Sequence, residues 1–217
     1  MFALNGIKAL AAALVLSGGL AGQAGAVTYH FDNITGNNAE HAAAGAAQLF
    51  LDVDLVDDAV HFVFRNAGPL QMTVANLYID HGTTALIQNA SVGAASEGVE
   101  FAGGGTPVNV PRGNTVGFYA DDTFYTTRPR VHYGINVLEF QTIVYELVAG
   151  TTFSDLIAAL DAGNLRAGLH VINFIGGGRE SFVSGAQVVP IPLPATGLLL
   201  VGALGGLVLL RRRRPAA

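Results

Sequence analysis

The chain has 217 residues, a formal charge of -5, and no cysteine or tryptophan. Apolar residues make up 51% and charged residues only 12%, which excludes an ordinary polar disordered chain. Absent cysteine excludes disulfide staples, thiolate metal sites and cysteine nucleophiles. The charge is unevenly spread. All 16 acidic residues lie between Asp32 and Glu180, together with six of the 11 basic ones, so this middle segment carries -10. Lys8 and Arg211 to Arg214 supply the remaining positive charge at the two ends.

Residues 1–26 read as a secretory signal peptide. A weakly positive start with Lys8 precedes an apolar stretch from Ala9 to Leu16 and then small residues. Ala24-Gly25-Ala26 forms an A-x-A site, because signal peptidase admits only small side chains at those two positions. Signal peptidase is therefore an expected partner, and Val27 is the expected first mature residue.

Residues 27–188 form the expected folded domain, long enough for one real core. Leu49, Leu51, Val53 and Leu55 alternate with Gln48, Asp52 and Asp54, the pattern of a half-buried strand. Val60, Phe62 and Phe64 alternate with His61 and Arg65 in a second. Asp57-Asp58 between them suits a two-residue turn. That register sets Leu55 against Val60, Val53 against Phe62, Leu51 against Phe64 and Asp54 against His61. Further strand-like runs cover residues 27–31, 73–79, 84–88, 115–119, 137–147, 165–174 and 181–188. The alanine-rich stretch 39–47 suits a helical turn or a loop. A helix is expected over 153–162, with Thr152 and Asp155 as a capping box and Gly163 at its end. Many short strands with one small helix predict an all-β, antiparallel sandwich of jelly-roll type.

Residues 189–217 differ in kind. Pro190, Pro192 and Pro194 favour an extended segment, and residues 195–210 form an uncharged apolar run. As a helix it spans about 24 Å, short against about 30 Å of hydrocarbon. Arg211, Arg212, Arg213 and Arg214 hold the C-terminus on the inner side. The expected outline is a β domain flanked by a signal peptide and a C-terminal transmembrane helix.

This tail resembles the PEP-CTERM class of sorting signals, closest to its VPLPA-CTERM variant. Ile191-Pro192-Leu193-Pro194-Ala195 stands where that variant has V-P-L-P-A, followed in order by the glycine-rich apolar span and the arginine cluster. The resemblance implies recognition by an exosortase-type transpeptidase, membrane anchoring before processing, and delivery to the surface or matrix of a Gram-negative bacterium. It also implies a setting of exopolysaccharide production. Leu193 to Gly197 also spells L-P-x-T-G, the sortase signal of Gram-positive walls. The apolar run starting without a spacer and the single leader lysine favour the exosortase reading. The middle segment is similar to uncharacterised PEP-CTERM ectodomains through FDNITGNNAEHAAAGAAQLFLDV, VHFVFRNAGP, LRAGLHV and Glu180-Ser181-Phe182-Val183.

Each chemistry-bearing residue type in this segment also has a purely structural role to fill. Asp52 and Asp54 share one strand face and suit either paired carboxylates of a glycoside hydrolase or a solvated outer face; alternation alone favours the latter. Asp52, Asp54, Asp57, Asp58, Asp80, Asp121 and Asp122 offer hard oxygens for calcium, without EF-hand spacing. The six histidines lack metal-site spacing. Ser154 and Ser181 lack a nucleophile-elbow context. The triple glycines at 103–105 and 176–178 read as loops. Asn33-Ile34-Thr35 and Asn89-Ala90-Ser91 match the glycosylation sequon by coincidence. Tyr78, Tyr119, Tyr125, Tyr133 and Tyr145 offer faces for sugar stacking, with Tyr119, Phe124 and Tyr125 near one loop, or are ordinary sheet aromatics. A domain this acidic repels nucleic acid. No catalytic residue, metal or cofactor is assigned. The expected role is structural or adhesive, with exopolysaccharide as partner; a carbohydrate-binding module or a polysaccharide-cleaving enzyme are the alternatives.

Overall fold

The computed structural model describes residues 26–83, 85–127 and 129–187. Ala24, the sorting residues Ile191 to Ala195, the span 195–210 and Arg211 to Arg214 lie outside the described residues. Ala26 is exposed and directly precedes the first strand. Among the described residues no helix is long and apolar enough to cross a membrane.

The domain is mostly β. Its strands are β1 (Val27–Asn33), β2 (Leu49–Val56), β3 (Ala59–Asn66), β4 (Thr73–Asp80), β5 (Ile87–Ala95), β6 (Phe101–Gly103), β7 (Asp122–Thr126), β8 (Phe140–Leu147), β9 (Arg166–Ile172) and β10 (Arg179–Gln187). Three short helices join them: α1 (Ala39–Gln48), α2 (Arg130–Tyr133) and α3 (Phe153–Asp161). All ten strands belong to one antiparallel, nearly closed sheet in the order β5-β8-β3-β2-β1-β10-β9-β4-β7-β6. The first and last strands meet at its middle, and the edge strands β5 and β6 approach each other.

The β2–β3 hairpin has the expected register, including Leu55 with Val60, Leu51 with Phe64 and Asp54 with His61. Asp57 and Asp58 both take positive φ, 48° and 68°, as a type I′ turn requires. The helix α3 carries its capping box: Thr152 accepts from the Asp155 amide and Asp155 from the Thr152 amide. Two expectations need correction. Residues 115–119 are not a strand; Gly113–Val116 forms a 3-10 turn closed by Gly117 at φ +66°. The run at 84–88 starts later, at Ile87, and continues to Ala95. The short strands β6 and β7 carry too little alternation to be visible, since their pairing partners are each other and β4.

One main core fills the inner face. Leu51, Phe62, Phe64 and Ile143 from one half of the sheet pack with Leu77, Leu169 and Phe182 from the other. Leu156 and Leu160 of α3 join this core. A smaller core of Tyr78, Val110, Phe118 and Val183 lies apart from it. There Phe118, in the connection between β6 and β7, packs on Gly168 of β9; a side chain at 168 would meet the ring at 3.0 Å. All eight residues of β4 are consequently buried.

The connection between β1 and α1 is organised by a carboxylate. Glu180, at the start of β10, is fully buried. It accepts hydrogen bonds from Asn33 Nδ2 at 3.0 Å, Thr35 Oγ1, the Asn37 amide at 3.2 Å and the Asn38 amide at 2.7 Å. Burial pushes its pKa up, but the donors from Thr35, Asn33, Asn38 and Asn37 outweigh this and hold it below its ordinary value. Asn33-Ile34-Thr35 thus has a structural reason unrelated to glycosylation. Asn38 also caps α1, accepting from the Glu40 and His41 amides. The helix then passes so close to Phe182 that a side chain at Gly45 would overlap the ring, at 2.1 Å.

Glu180→Ala leaves four donors without their acceptor. It should destabilise the domain by about 3 kcal/mol, and Thr35→Ala by about 1 kcal/mol, in urea unfolding. The Glu180 contribution is present above the unfolded carboxylate pKa and lost as pH falls through the lower folded value. An unchanged midpoint for Glu180→Ala would show that the clasp carries no stability.

Candidate functional site

The seven candidate aspartates divide into four settings. Asp52 is held on the outer face of β2, accepting from Thr28 Oγ1 at 2.5 Å and forming an ion pair with Arg65. Arg65 also lies over the Phe50 ring at 4.6 Å. Asp54 faces His61 across the hairpin, and its Oδ1 is buried without a hydrogen-bond partner among the described residues. Asp52 is therefore engaged by Thr28 and Arg65 from the two neighbouring strands. Asp57 and Asp58 form the exposed turn.

Asp80 and Asp121 do come together, at the end of β4 and just before β7. Asp80 is 5% exposed and accepts from Arg166 Nη2 at 2.7 Å, the Gly82 amide at 2.9 Å and the Tyr119 amide at 3.1 Å. Arg166, from β9, also donates to the Val116 carbonyl at 3.0 Å and to the Gly117 carbonyl, and sits 5.3 Å from the Phe118 ring centre. Asp121 accepts from the His81 amide at 2.7 Å, and its own amide donates to Ile79. The segment 116–121 is thereby tied down at both ends.

Asp122 belongs to a different cluster. Its Oδ2 lies 2.9 Å from His81 Nε2 and accepts from Tyr145 OH at 2.9 Å. The hydrogen bond with His81 lowers the Asp122 pKa, and the same bond raises that of His81. Burial, with the nearby Asp122 charge, pushes the Tyr145 hydroxyl well above its ordinary value. Tyr145 comes from β8, whereas Asp122 lies on β7 in the other half of the sheet. The contact ties the two halves together. Among the described residues, no three of His, Asp or Glu gather so as to hold a metal ion.

The aromatic candidates separate. Phe124 is buried in the main core. Tyr125 is half-buried, with the Gly105 backbone against its ring, and borders a small cleft with Arg130. Tyr119 is 63% exposed and borders a cleft of about 330 Å³ shared with Asp80, Asp121, Asn164 and Arg166. Sequence reasoning singled out Tyr119 and the aspartates. It missed Asn164 and Arg166, which lie more than 40 residues away along the chain and carry no motif.

A second feature was also invisible in sequence. Asn76, His170 and Ser181 form one row across β4, β9 and β10. All three are buried, and Asn76 Nδ2 and Oδ1, His170 Nδ1 and Ser181 Oγ have no partner among the described residues. Burial, aided by the charges of Arg179 and Arg130, lowers the His170 pKa to about 4. No protein-family model, curated protein or solved structure matches the chain.

The buried imidazole makes the fold acid-sensitive. His170 stays neutral in the folded domain until about pH 4, whereas the unfolded chain takes up its proton near 6.5. Stability from this group is present above pH 6.5 and lost as pH falls through about 4, on the order of 3 kcal/mol in total. Urea midpoints measured between pH 7 and 4 should show this slope, and His170→Leu should flatten it. A slope untouched by His170→Leu would assign it to other groups.

Proposed function

We propose that this is an exported, non-enzymatic surface protein of a Gram-negative bacterium, sorted by an exosortase-type transpeptidase and acting structurally or adhesively with exopolysaccharide. The observation that carries the reading is the ordered tail: Ile191-Pro192-Leu193-Pro194-Ala195, an uncharged run over 195–210, and Arg211 to Arg214. Signal peptidase cleaves after Ala26, with Ala24 and Ala26 as the small residues it needs. The transmembrane span then holds the chain until the transpeptidase releases it.

The boundaries of the folded domain support this division. β1 begins at Val27, directly after the A-x-A site, and β10 ends at Gln187, shortly before the tail. Tyr29 pairs with Gln187, so the two ends of the domain lie side by side. Removing the leader therefore takes nothing from β1, and a tether at the tail holds the domain from one end. A sandwich is the finer reading of the sheet: the strands on either side of the β1–β10 seam fold over a common core. Side chains from both halves in that core support it.

Deleting residues 189–217 in the native host should shift most of the protein from the cell surface to a soluble fraction, read by surface proteolysis and fractionation. Unchanged location would overturn the sorting reading. Mass spectrometry of the mature protein should find a C-terminus within or beside the proline motif. Cleavage between Thr196 and Gly197, with attachment to peptidoglycan, would assign the protein to the sortase route instead.

A further inference from the structure

We infer that the cleft between the β4 end, the 116–121 segment and the turn after α3 binds a neutral saccharide. Its rim carries Tyr119, a large aromatic side chain left 63% exposed. The backbone beneath that ring is anchored, because the Tyr119 amide donates to buried Asp80 and Asp80 is paired with Arg166. The ring is thus presented in place, while its hydroxyl has no partner among the described residues. Tyrosine suits a wet, half-apolar ligand, since its face packs on C–H groups and its hydroxyl stays solvated.

The polar groups around the ring complete the argument. Asp121 uses Oδ2 for the His81 amide, and its Oδ1 takes no donor among the described residues. The Asn164 side-chain amide is exposed and likewise unengaged. A carboxylate oxygen accepts from a hydroxyl, and an amide both donates and accepts, so the pair matches the vicinal hydroxyls of a sugar ring. Volume agrees: about 330 Å³ is at the lower end of small-molecule sites, room for one or two sugar residues. Charge selects among saccharides. Asp80 and Arg166 neutralise each other, leaving Asp121 to give the cleft a net negative charge inside a domain at -10. Uronic acids and sulfated sugars are repelled, and uncharged ones are not.

The inference rests on the proposed surface role for the source of its ligand, but its affinity is independent of export. The test uses the full chain purified in detergent, on immobilised neutral oligosaccharides (glucan, mannan and galactan series) beside alginate and polygalacturonate. The expected result is retention on at least one neutral series. Binding should fall at least tenfold for Tyr119→Ala and for Asn164→Ala, with thermal midpoints unchanged because both side chains are exposed. Tyr125→Ala, in the separate cleft beside Arg130, should change affinity less than twofold. Binding only to the acidic polymers, binding to none of the sugars, or equal binding by Tyr119→Ala would overturn the assignment. Each of those outcomes leaves the sorting reading standing. Mislocalisation experiments on the tail leave the affinity of the cleft standing in turn.

Discussion

The carboxylate of Glu180 is the constraint on which the seam of this sheet depends. It is fully buried and forms none of the three ion pairs found among the described residues. A buried charge without a counter-ion persists only if hydrogen-bond donors replace its hydration. Here the donors come from residues 33–38, the connection that leaves β1 and enters α1. The connection therefore has to wrap the start of β10. That wrapping places Asn38 as the α1 cap and lays Gly45 on Phe182. It also delivers Gln48, whose amide donates to Asn66 and to the Leu70 carbonyl, to the head of β2. The two strands it joins, β1 and β10, are the pair through which the halves of the sheet are continuous.

Other polar contacts serve the same closure at different places. Tyr145 reaches from β8 to Asp122 on β7, and Tyr29 of β1 donates to Asp161 at the end of α3. Each links elements that are not neighbours in the sheet. On β4, β9 and β10 the connection over 104–121 adds a second layer, anchored by Phe118 on Gly168 and by Asp80 with Arg166. That layer holds Tyr119 out at the rim of a cleft.

Much of the first half of the domain was legible because its physics is local. The β2–β3 hairpin follows from strict alternation and a turn whose two aspartates tolerate positive φ, so register and facing residues could be assigned before any fold was known. The α3 cap is equally local, since Thr152 and Asp155 are three residues apart. Residues 115–119 misled because glycine at 113 and 117 and the pull of Arg166 on two carbonyls outweigh the β-propensity of Thr115 and Val116. Residues 33–38 and Glu180 meet although nearly 150 residues separate them, because the first segment supplies the donors and the second the carboxylate.

By itself the sequence determined the antiparallel β character of residues 27–187, the β2–β3 hairpin with its register, and the capped start of α3. Each of these is written within a few to some twenty consecutive residues, where period, turn residues and capping side chains act directly. Only the tertiary structure decided that ten strands form one sheet rather than separate ones. It also decided that Asp80, Asp121, Asn164 and Arg166 share a cleft with Tyr119 while Asp52 is spent on Arg65. These outcomes depend on which strands become neighbours, and neighbourhood across 40 to 150 residues is set by core packing and buried hydrogen bonds that no local spacing encodes.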